Sequence, residues 1–364
     1  MNVWLASDYQ SLFVNDVPLM DVRAPIEFEK GSFPNATNCM LLDDLQREKI
    51  GTEFKQQGQD AAVDLGEQLA TSEIRQQRLD SWLAFHQQNP DSLLYCFRGG
   101  MRSQITQKWL AEAGVDKMYV EGGYKGMRQY LIEQTAQIVE EKKLYIIGGL
   151  TGIGKTELIW QLDNTIDLEG RANHRGSSFG RRVGGQPKII DFENALAIDM
   201  IKKCHQGCSS LVLEDESRLV GGCVIPPVLF DKMCESSVII LQEPVELRLE
   251  RIYREYVVEF HQECHKAYGE EAEQMFSEGL IQGLARIKKR LGGERFETMN
   301  VLLEQALALF DQGVENARSC FYQFIELLLE GYYDPMYHYQ LEKKRQRIVF
   351  EGDRQQIAEY LADK

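Results

Sequence analysis

Gly149-Leu150-Thr151-Gly152-Ile153-Gly154-Lys155-Thr156 is the stretch that leaves this chain the least freedom. It satisfies the spacing G-x-x-x-x-G-K-[ST], and its flanks supply the context that spacing needs. Lys143-Leu144-Tyr145-Ile146-Ile147 before it reads as a buried strand, and Glu157 to Leu162 after it as a helix. The glycines let main-chain N–H groups close on phosphate oxygens. Lys155 offers a point charge to a terminal phosphate, and Thr156 can reach a metal ion. The motif specifies phosphate without specifying the compound that carries it.

Downstream, Ser209 to Glu216 reads as a second buried strand ending in acids, so Glu214 or Asp215 is a candidate acid or holder of a metal-bound water; an ordinary strand-end loop explains them equally well. Val238 to Leu241 is a third strand, and Arg347 to Phe350 a closing edge strand. Between them lie helices from about 245 to 330, the first carrying Arg248, Arg251 and Arg254 on nearly one face. Residues 171–182 form a glycine- and serine-bearing loop rich in arginine. Its His174, Arg175, Arg181 and Arg182 could clamp a diphosphate or follow an RNA backbone, since arginine forks suit phosphate oxygens.

The other chemistry-bearing stretch precedes the phosphate loop. In Leu93-Leu94-Tyr95-Cys96-Phe97-Arg98-Gly99-Gly100-Met101-Arg102-Ser103, a buried strand ends in a thiol, a glycine turn follows, and a helix begins. Backbone N–H groups and a helix N-terminus there favour an anion, and Arg98 and Arg102 add positive charge. This setting predicts a lowered thiol pKa and a nucleophilic Cys96, against the plainer reading of a buried structural cysteine. Strands and helices alternate through this half: a strand enters Asp21-Val22-Arg23, one helical run spans Leu65 to Leu83, and an amphipathic helix covers 124–140. The pattern predicts an α/β domain with a mainly parallel sheet and its working edge at the strand C-termini.

Length and composition narrow the rest. A chain of 364 residues suggests two or three domains, with a boundary here at 140/141. No apolar run is long enough for a membrane span, and the first residues lack the features of a signal peptide. Eight cysteines at irregular spacing do not form a disulfide framework, which fits a reducing cytoplasm. Cys204 and Cys208 lack a second ligand pair, so no zinc site and no resident metal are expected. The net charge of −15 leaves nucleic-acid binding to local basic patches, including Lys288-Lys289-Arg290 and Lys343-Lys344-Arg345 with Arg347.

Asp21-Val22-Arg23, Glu27-Phe28, Gly31 to Asn38 and the Cys96 loop together resemble a rhodanese domain, a family that carries sulfur or selenium on its loop cysteine. Cys96 and Arg102 stand one residue further apart than in ordinary single-domain rhodaneses, a spacing also similar to rhodanese-fold phosphatases. The whole order of motifs, with His174 to Phe179 and Glu214-Asp215-Glu216-Ser217-Arg218 added, resembles the tRNA 2-selenouridine synthase family across nearly the full chain. The resemblance implies an N-terminal rhodanese-like parallel-sheet domain (1–140) and a P-loop NTPase-like α/β domain with a helical C-terminal part (141–364). It implies a cytoplasmic transferase that replaces sulfur by selenium in wobble 2-thiouridine of tRNA. The donor would be selenophosphate, delivered with or without its supply enzyme, and S-geranylation from geranyl diphosphate would precede the exchange. Cys96 would carry selenium beside the anion site of Arg98, Gly99, Gly100 and Arg102. Gly149, Gly152, Gly154, Lys155 and Thr156 would hold a phosphorylated donor. No tightly bound cofactor is implied, and Mg²⁺ could accompany the diphosphate. Two other readings stay open on the residues alone: an ATP-dependent kinase or phosphatase with a rhodanese-fold module, and a non-catalytic RNA-binding protein.

Overall fold

The computed structural model describes residues 2–310, 314–362 and 364. The chain divides into two compact units. One comprises the residues up to Ile138 together with Ile190–His205, and the other Val139–Ile189 together with Gln206–Lys364.

The first unit holds five parallel strands: β1 (Val3–Trp4), β2 (Leu19–Asp21), β3 (Ala36–Asn38), β4 (Leu93–Tyr95) and β5 (Tyr119–Val120), in the order β1-β5-β4-β2-β3. Asp21 lies opposite both Tyr95 and Asn38 in the register, so the loops after β2, β3 and β4 leave the same edge. Both faces of β4 are buried, as expected of a parallel strand between helices. Met20, Val22, Leu94, Trp82 and Leu110 form the core, and the Trp82 indole donates to the Cys39 carbonyl at 2.9 Å. The apolar run expected as one helix over 65–83 is two, Gln59–Leu69 and Ser72–Gln88. The break falls at Thr71, whose hydroxyl caps the second helix by accepting from the Ile74 N–H at 3.3 Å. The segment Ile190–His205 belongs to this unit through polar contacts. Asp191 accepts from the Ser32 N–H at 2.6 Å, Arg128 donates to the Asn194 side chain at 2.8 Å, and Lys202 pairs with Asp16 at 2.6 Å.

The second unit has its own five-stranded parallel sheet. Its strands are β6 (Lys143–Gly148), β7 (Thr165–Ile166), β8 (Ser210–Glu214), β11 (Ser237–Leu241) and β12 (Ile348–Gly352), in the order β12-β11-β6-β8-β7; a small hairpin, β9 (Leu219–Val220) with β10 (Cys223–Val224), stands apart. The strand that feeds the phosphate loop is therefore central, with the acid-ending strand β8 beside it. The closing strand takes the expected edge position. Helices Val245–Tyr253, Phe260–Tyr268, Ala272–Leu291, Gly293–Phe310 and Val314–Leu328 pack around Phe276, Leu284, Leu303 and Phe321 as a separate apolar core. Among the described residues, no helix is long and apolar enough to cross a membrane.

Candidate active-site loops

In the first unit, the loop from Cys96 to Gly100 joins β4 to the Met101–Glu112 helix, with Gly100 at the helix N-cap. It is held against the start of the Gly123–Glu141 helix: the Cys96 and Phe97 carbonyls accept from the N–H groups of Tyr124 and Lys125, each at 2.9 Å. Gly99 has φ +65°, and a Cβ there would lie 2.6 Å from the Val120 carbonyl oxygen, so the turn requires glycine. Cys96 sits at the base of the loop, only 3% exposed and among core residues, whereas Phe97 and Arg98 beside it are exposed. Reaction at the thiol therefore needs the exposed part of the loop to give way.

The Asp21-x-Arg23 pattern proves to be a lock for this edge. The Arg23 guanidinium, 1% exposed, donates to Asp21 Oδ1 at 3.0 Å, to Asp21 Oδ2 at 2.9 and 2.6 Å and to the Gly31 carbonyl at 2.8 Å. It also lies 3.9 Å over the Tyr124 ring. Arg102 differs from the expected free cation of the anion site. Its guanidinium grips Glu27 with two bonds, at 2.5 and 3.2 Å. Burial pushes the Glu27 carboxyl up, but Arg102 outweighs it and holds the group below the usual range. Arg98 is exposed, 5.9 Å from the Phe97 ring centre, and is the loop cation that faces solvent. Ser103, in the first turn of the helix, is fully buried, and its hydroxyl has no hydrogen-bond partner.

The same helix lines a cavity of about 520 Å³. Met101, Ile105 and Trp109 face it from one side, and Ile50, Phe54 and Val63 from the two helices at Asp44–Gln57 and Gln59–Leu69. Arg102 and Lys108 also border it. Nothing in the local sequence marks it, because its walls come from four helices, Ile74 of Ser72–Gln88 included, and from Leu41 and Leu42.

In the second unit, the phosphate loop has the backbone its glycines allow, with φ of +150° at Gly149, +75° at Gly152 and +85° at Gly154. Gly154 caps a short helix, Lys155–Ile159. Lys155 turns back onto the Gly149 carbonyl at 3.2 Å, and the Thr156 hydroxyl donates to Glu169 at 3.3 Å. Two arginines of the Val245–Tyr253 helix brace the loop from behind. Arg248 donates to the Thr151 carbonyl at 3.1 Å and Arg251 to the Gly152 carbonyl at 2.6 Å. Arg251, Arg254 and Arg354 share Glu157, and Arg251 and Arg354 also meet Glu243 at 2.8 Å.

The acids beside the loop are arranged differently from the expectation. Asp215 is tied to Lys344 at 2.6 Å. Glu214 is fully buried and accepts from the Leu168 N–H at 2.8 Å, with its other oxygen unpartnered. Nearest the loop hydroxyl stands Glu169, which shares a hydrogen bond with Glu216. Burial pushes Glu169 up, with Lys155 pulling the other way. Burial and then the neighbouring Glu169 hold both Glu214 and Glu216 well above the ordinary carboxylate range. Clustered carboxyls beside a phosphate cradle, with a threonine hydroxyl, are an all-oxygen set that fits a hard divalent cation such as Mg²⁺.

The arginine-rich loop passes directly over these acids. Gly176 has φ +57°, and a Cβ there would run into Glu169. The loop is pinned rather than loose. Arg175 is buried and pairs with Glu263 at 3.0 Å, the Ser177 hydroxyl donates to Tyr256 at 2.9 Å, and Arg286 donates to the Ser178 carbonyl at 3.1 Å. Burial, then the charges of Arg286, Arg181, Arg175 and Arg182, push His174 down to about 4, so its ring is neutral at pH 7 and a weak base. Arg181 is exposed and Arg182 half-buried, so these two, not Arg175, present cations outward. Glu255, on a π-helical turn at Arg254–Glu259, is pushed up to about 7 by burial, which Arg175 opposes and Glu259 reinforces. Lys344 and Arg347 are used inside the unit, the latter on the Met233 and Ser236 carbonyls.

Taken together, the fold and loops define a class: a rhodanese-like domain joined to a P-loop domain of AAA type. A rhodanese-like family matches residues 5–130, and the family described as tRNA 2-selenouridine synthase AAA domain matches residues 142–364. Full-length relatives agree. The chain is 51% identical to the tRNA 2-selenouridine synthase of Pseudomonas entomophila (strain L48), over 98% of this chain and 95% of that one. It is 49% identical to those of Pseudomonas syringae pv. syringae (strain B728a), over 99% and 98%, and Pseudomonas aeruginosa (strain LESB58), over 97% and 96%. The chain belongs to the tRNA 2-selenouridine synthase family.

Proposed function

We propose that this enzyme exchanges sulfur for selenium in the wobble 2-thiouridine of tRNA in two steps. In the first, the thiocarbonyl sulfur attacks C1 of geranyl diphosphate. The C1–O bond breaks, diphosphate leaves, and the base gives up its N3 proton. The backbone N–H groups at Gly149, Gly152 and Gly154, with Lys155, Arg181 and Arg182, neutralise the charge growing on the leaving diphosphate. Thr156, Glu169 and Glu216 would hold Mg²⁺, which adds positive charge at the same oxygens when bound.

In the second step selenium from selenophosphate bonds to C2, the C2–S bond breaks, and geranyl thiol leaves. Hydrolysis of the phosphorus–selenium bond releases phosphate, so the exchange needs no oxidant or reductant. Alkylation matters because it turns a poor leaving group into a neutral thiol. We assign Cys96 to this step as the nucleophile at C2: its thiolate attacks C2 and geranyl thiol leaves. The selenium of selenophosphate then displaces the thiolate, and selenium keeps one oxidation level throughout. Arg98 and the buried hydroxyl of Ser103 serve as partners for the selenophosphate anion.

The observation that carries this reading is the cavity beside the Cys96 loop. The helix that begins at the loop contributes Met101, Ile105 and Trp109 to its wall, so a ten-carbon prenyl chain on the incoming base would lie next to the Cys96 loop. The test is mass spectrometry of nucleosides from thiolated tRNA incubated with the enzyme and both donors, each omitted in turn. Omitting selenophosphate should accumulate the S-geranylated base, and omitting geranyl diphosphate should leave thiouridine. Selenouridine formed at an undiminished rate without geranyl diphosphate would refute the order of steps.

A further inference from the structure

Away from both loops, three potential metal ligands of the second unit converge on one point. His261 and His265 stand one turn apart on the Phe260–Tyr268 helix, and Glu273 lies in the first turn of the Ala272–Leu291 helix. The two Nε2 atoms are 3.0 Å apart, and both meet the same Glu273 oxygen, at 2.8 and 2.9 Å. An imidazole nitrogen offers either a proton or a lone pair. If both nitrogens donate to the carboxylate, their N–H groups face each other. If only one donates, the other turns a lone pair toward an oxygen. No tautomer satisfies all three contacts of an ionised triad, whereas a cation at its centre satisfies every one. Tetrahedral zinc with ligand bonds near 2.0–2.2 Å separates its ligand atoms by about 3.3–3.5 Å. Each edge of the triangle therefore needs to open by about 0.3–0.7 Å.

The surroundings suit a built site. The His261 side chain is 17% exposed, and its ring is fixed edge-on between Phe276 and Phe310, at 5.1 and 4.8 Å. His265 and Glu273 are half-exposed, which leaves an entry path and room for solvent in a fourth position.

We propose that His261, His265 and Glu273 bind one zinc-like divalent transition-metal ion, which clamps this helical hairpin under the arginine-rich loop. Both helices touch that loop. Glu263 of the first pairs with Arg175, and Arg286 of the second donates to the Ser178 carbonyl. Gly283 of the second leaves space for the Phe179 ring, which a Cβ there would strike. Two imidazoles and a carboxylate suit zinc and its neighbours in the first transition row far better than Mg²⁺. Binding at this site does not depend on the proposed reaction.

The test uses full-length protein stripped with a chelator and titrated with Zn²⁺, and with Co²⁺ as a spectroscopic probe. Wild type should take up one tight equivalent, and His265→Ala and Glu273→Ala should each weaken it roughly 100-fold or more, beyond the 10–100-fold typical of losing a supporting partner. Both side chains are half-exposed, so the variants should keep the wild-type circular dichroism. The Co²⁺ spectrum should lack thiolate charge-transfer bands, which separates this site from the free cysteines. Amide exchange across 174–182 should slow on Zn²⁺ addition in wild type and stay unchanged in the variants. No tight equivalent in wild type, or one that persists in both variants with thiolate bands, would overturn the site. Tight binding without slower exchange would overturn the clamp.

Discussion

Replacing Lys155 by alanine separates the two proposed steps. In the resting loop, the lysine Nζ has one carbonyl contact, to Gly149 at 3.2 Å, and its charge pulls the buried Glu169 carboxyl down. Losing one such contact should change stability by about 1 kcal/mol. The catalytic loss should be larger. As the C1–O bond breaks, charge collects on the diphosphate that Lys155 is placed to meet. Removing one preorganised donor from such a transition state typically costs about 2.7–4 kcal/mol, or roughly 10²–10³ in rate. Single-turnover transfer of the geranyl group to thiolated tRNA should therefore slow by that factor. Selenation of tRNA already carrying the geranyl group should proceed at nearly the wild-type rate, since that step releases geranyl thiol rather than diphosphate. Equal loss in both assays by a folded Lys155→Ala protein would refute the division of labour, and so would unchanged alkylation.

Three further perturbations test other parts of the account. Ala62→Phe fills the apolar cavity from its wall; it should raise the KM for geranylated tRNA in selenation and leave alkylation of thiolated tRNA unchanged, and an unaltered KM would remove the prenyl chain from that cavity. Arg23→Met strands the buried Asp21 carboxylate and should lower unfolding free energy by about 3–5 kcal/mol in denaturant titration, with Asp21→Asn in the same chain restoring part of it; a loss under 1 kcal/mol would show that the pair is not the lock described. Glu255 is raised in the fold from an ordinary 4.5 to about 7, so the stability it contributes is complete below the lower value and is lost as pH rises through the upper one. Glu255→Gln should flatten the pH dependence of thermal unfolding between those values, and identical profiles for the two proteins would contradict the assignment.

What could be read from the sequence was whatever is encoded in consecutive residues. The phosphate loop and the Cys96 loop are each a strand, a glycine turn and a helix start, so spacing alone located them, and the parallel sheet of the first unit followed from strand–helix alternation. The partners of these loops were hidden because they arrive from distant segments. Glu27 neutralises Arg102 across 75 residues, and Arg354 joins Arg251 at Glu157 from the far end of the chain. Glu214 and Asp215 were visible as strand-end acids, yet the carboxyl beside Thr156 is Glu169, which no local pattern distinguishes. Arg248 and Arg251 were visible as a basic helix face, but only tertiary packing turns that face toward the loop carbonyls. The two histidines of the proposed metal site show the same limit: their i, i+4 spacing is local, while Glu273 comes into reach only when the hairpin closes.

The central claim is that one thiol governs the selenium step and leaves the prenyl step alone. The most direct test follows the nucleosides formed by Cys96→Ser and wild type when both donors are present. The account predicts selenouridine from wild type and accumulated S-geranyl-thiouridine, without selenium, from the variant. Selenouridine from Cys96→Ser at the wild-type rate, or loss of both products from a folded variant, would contradict it.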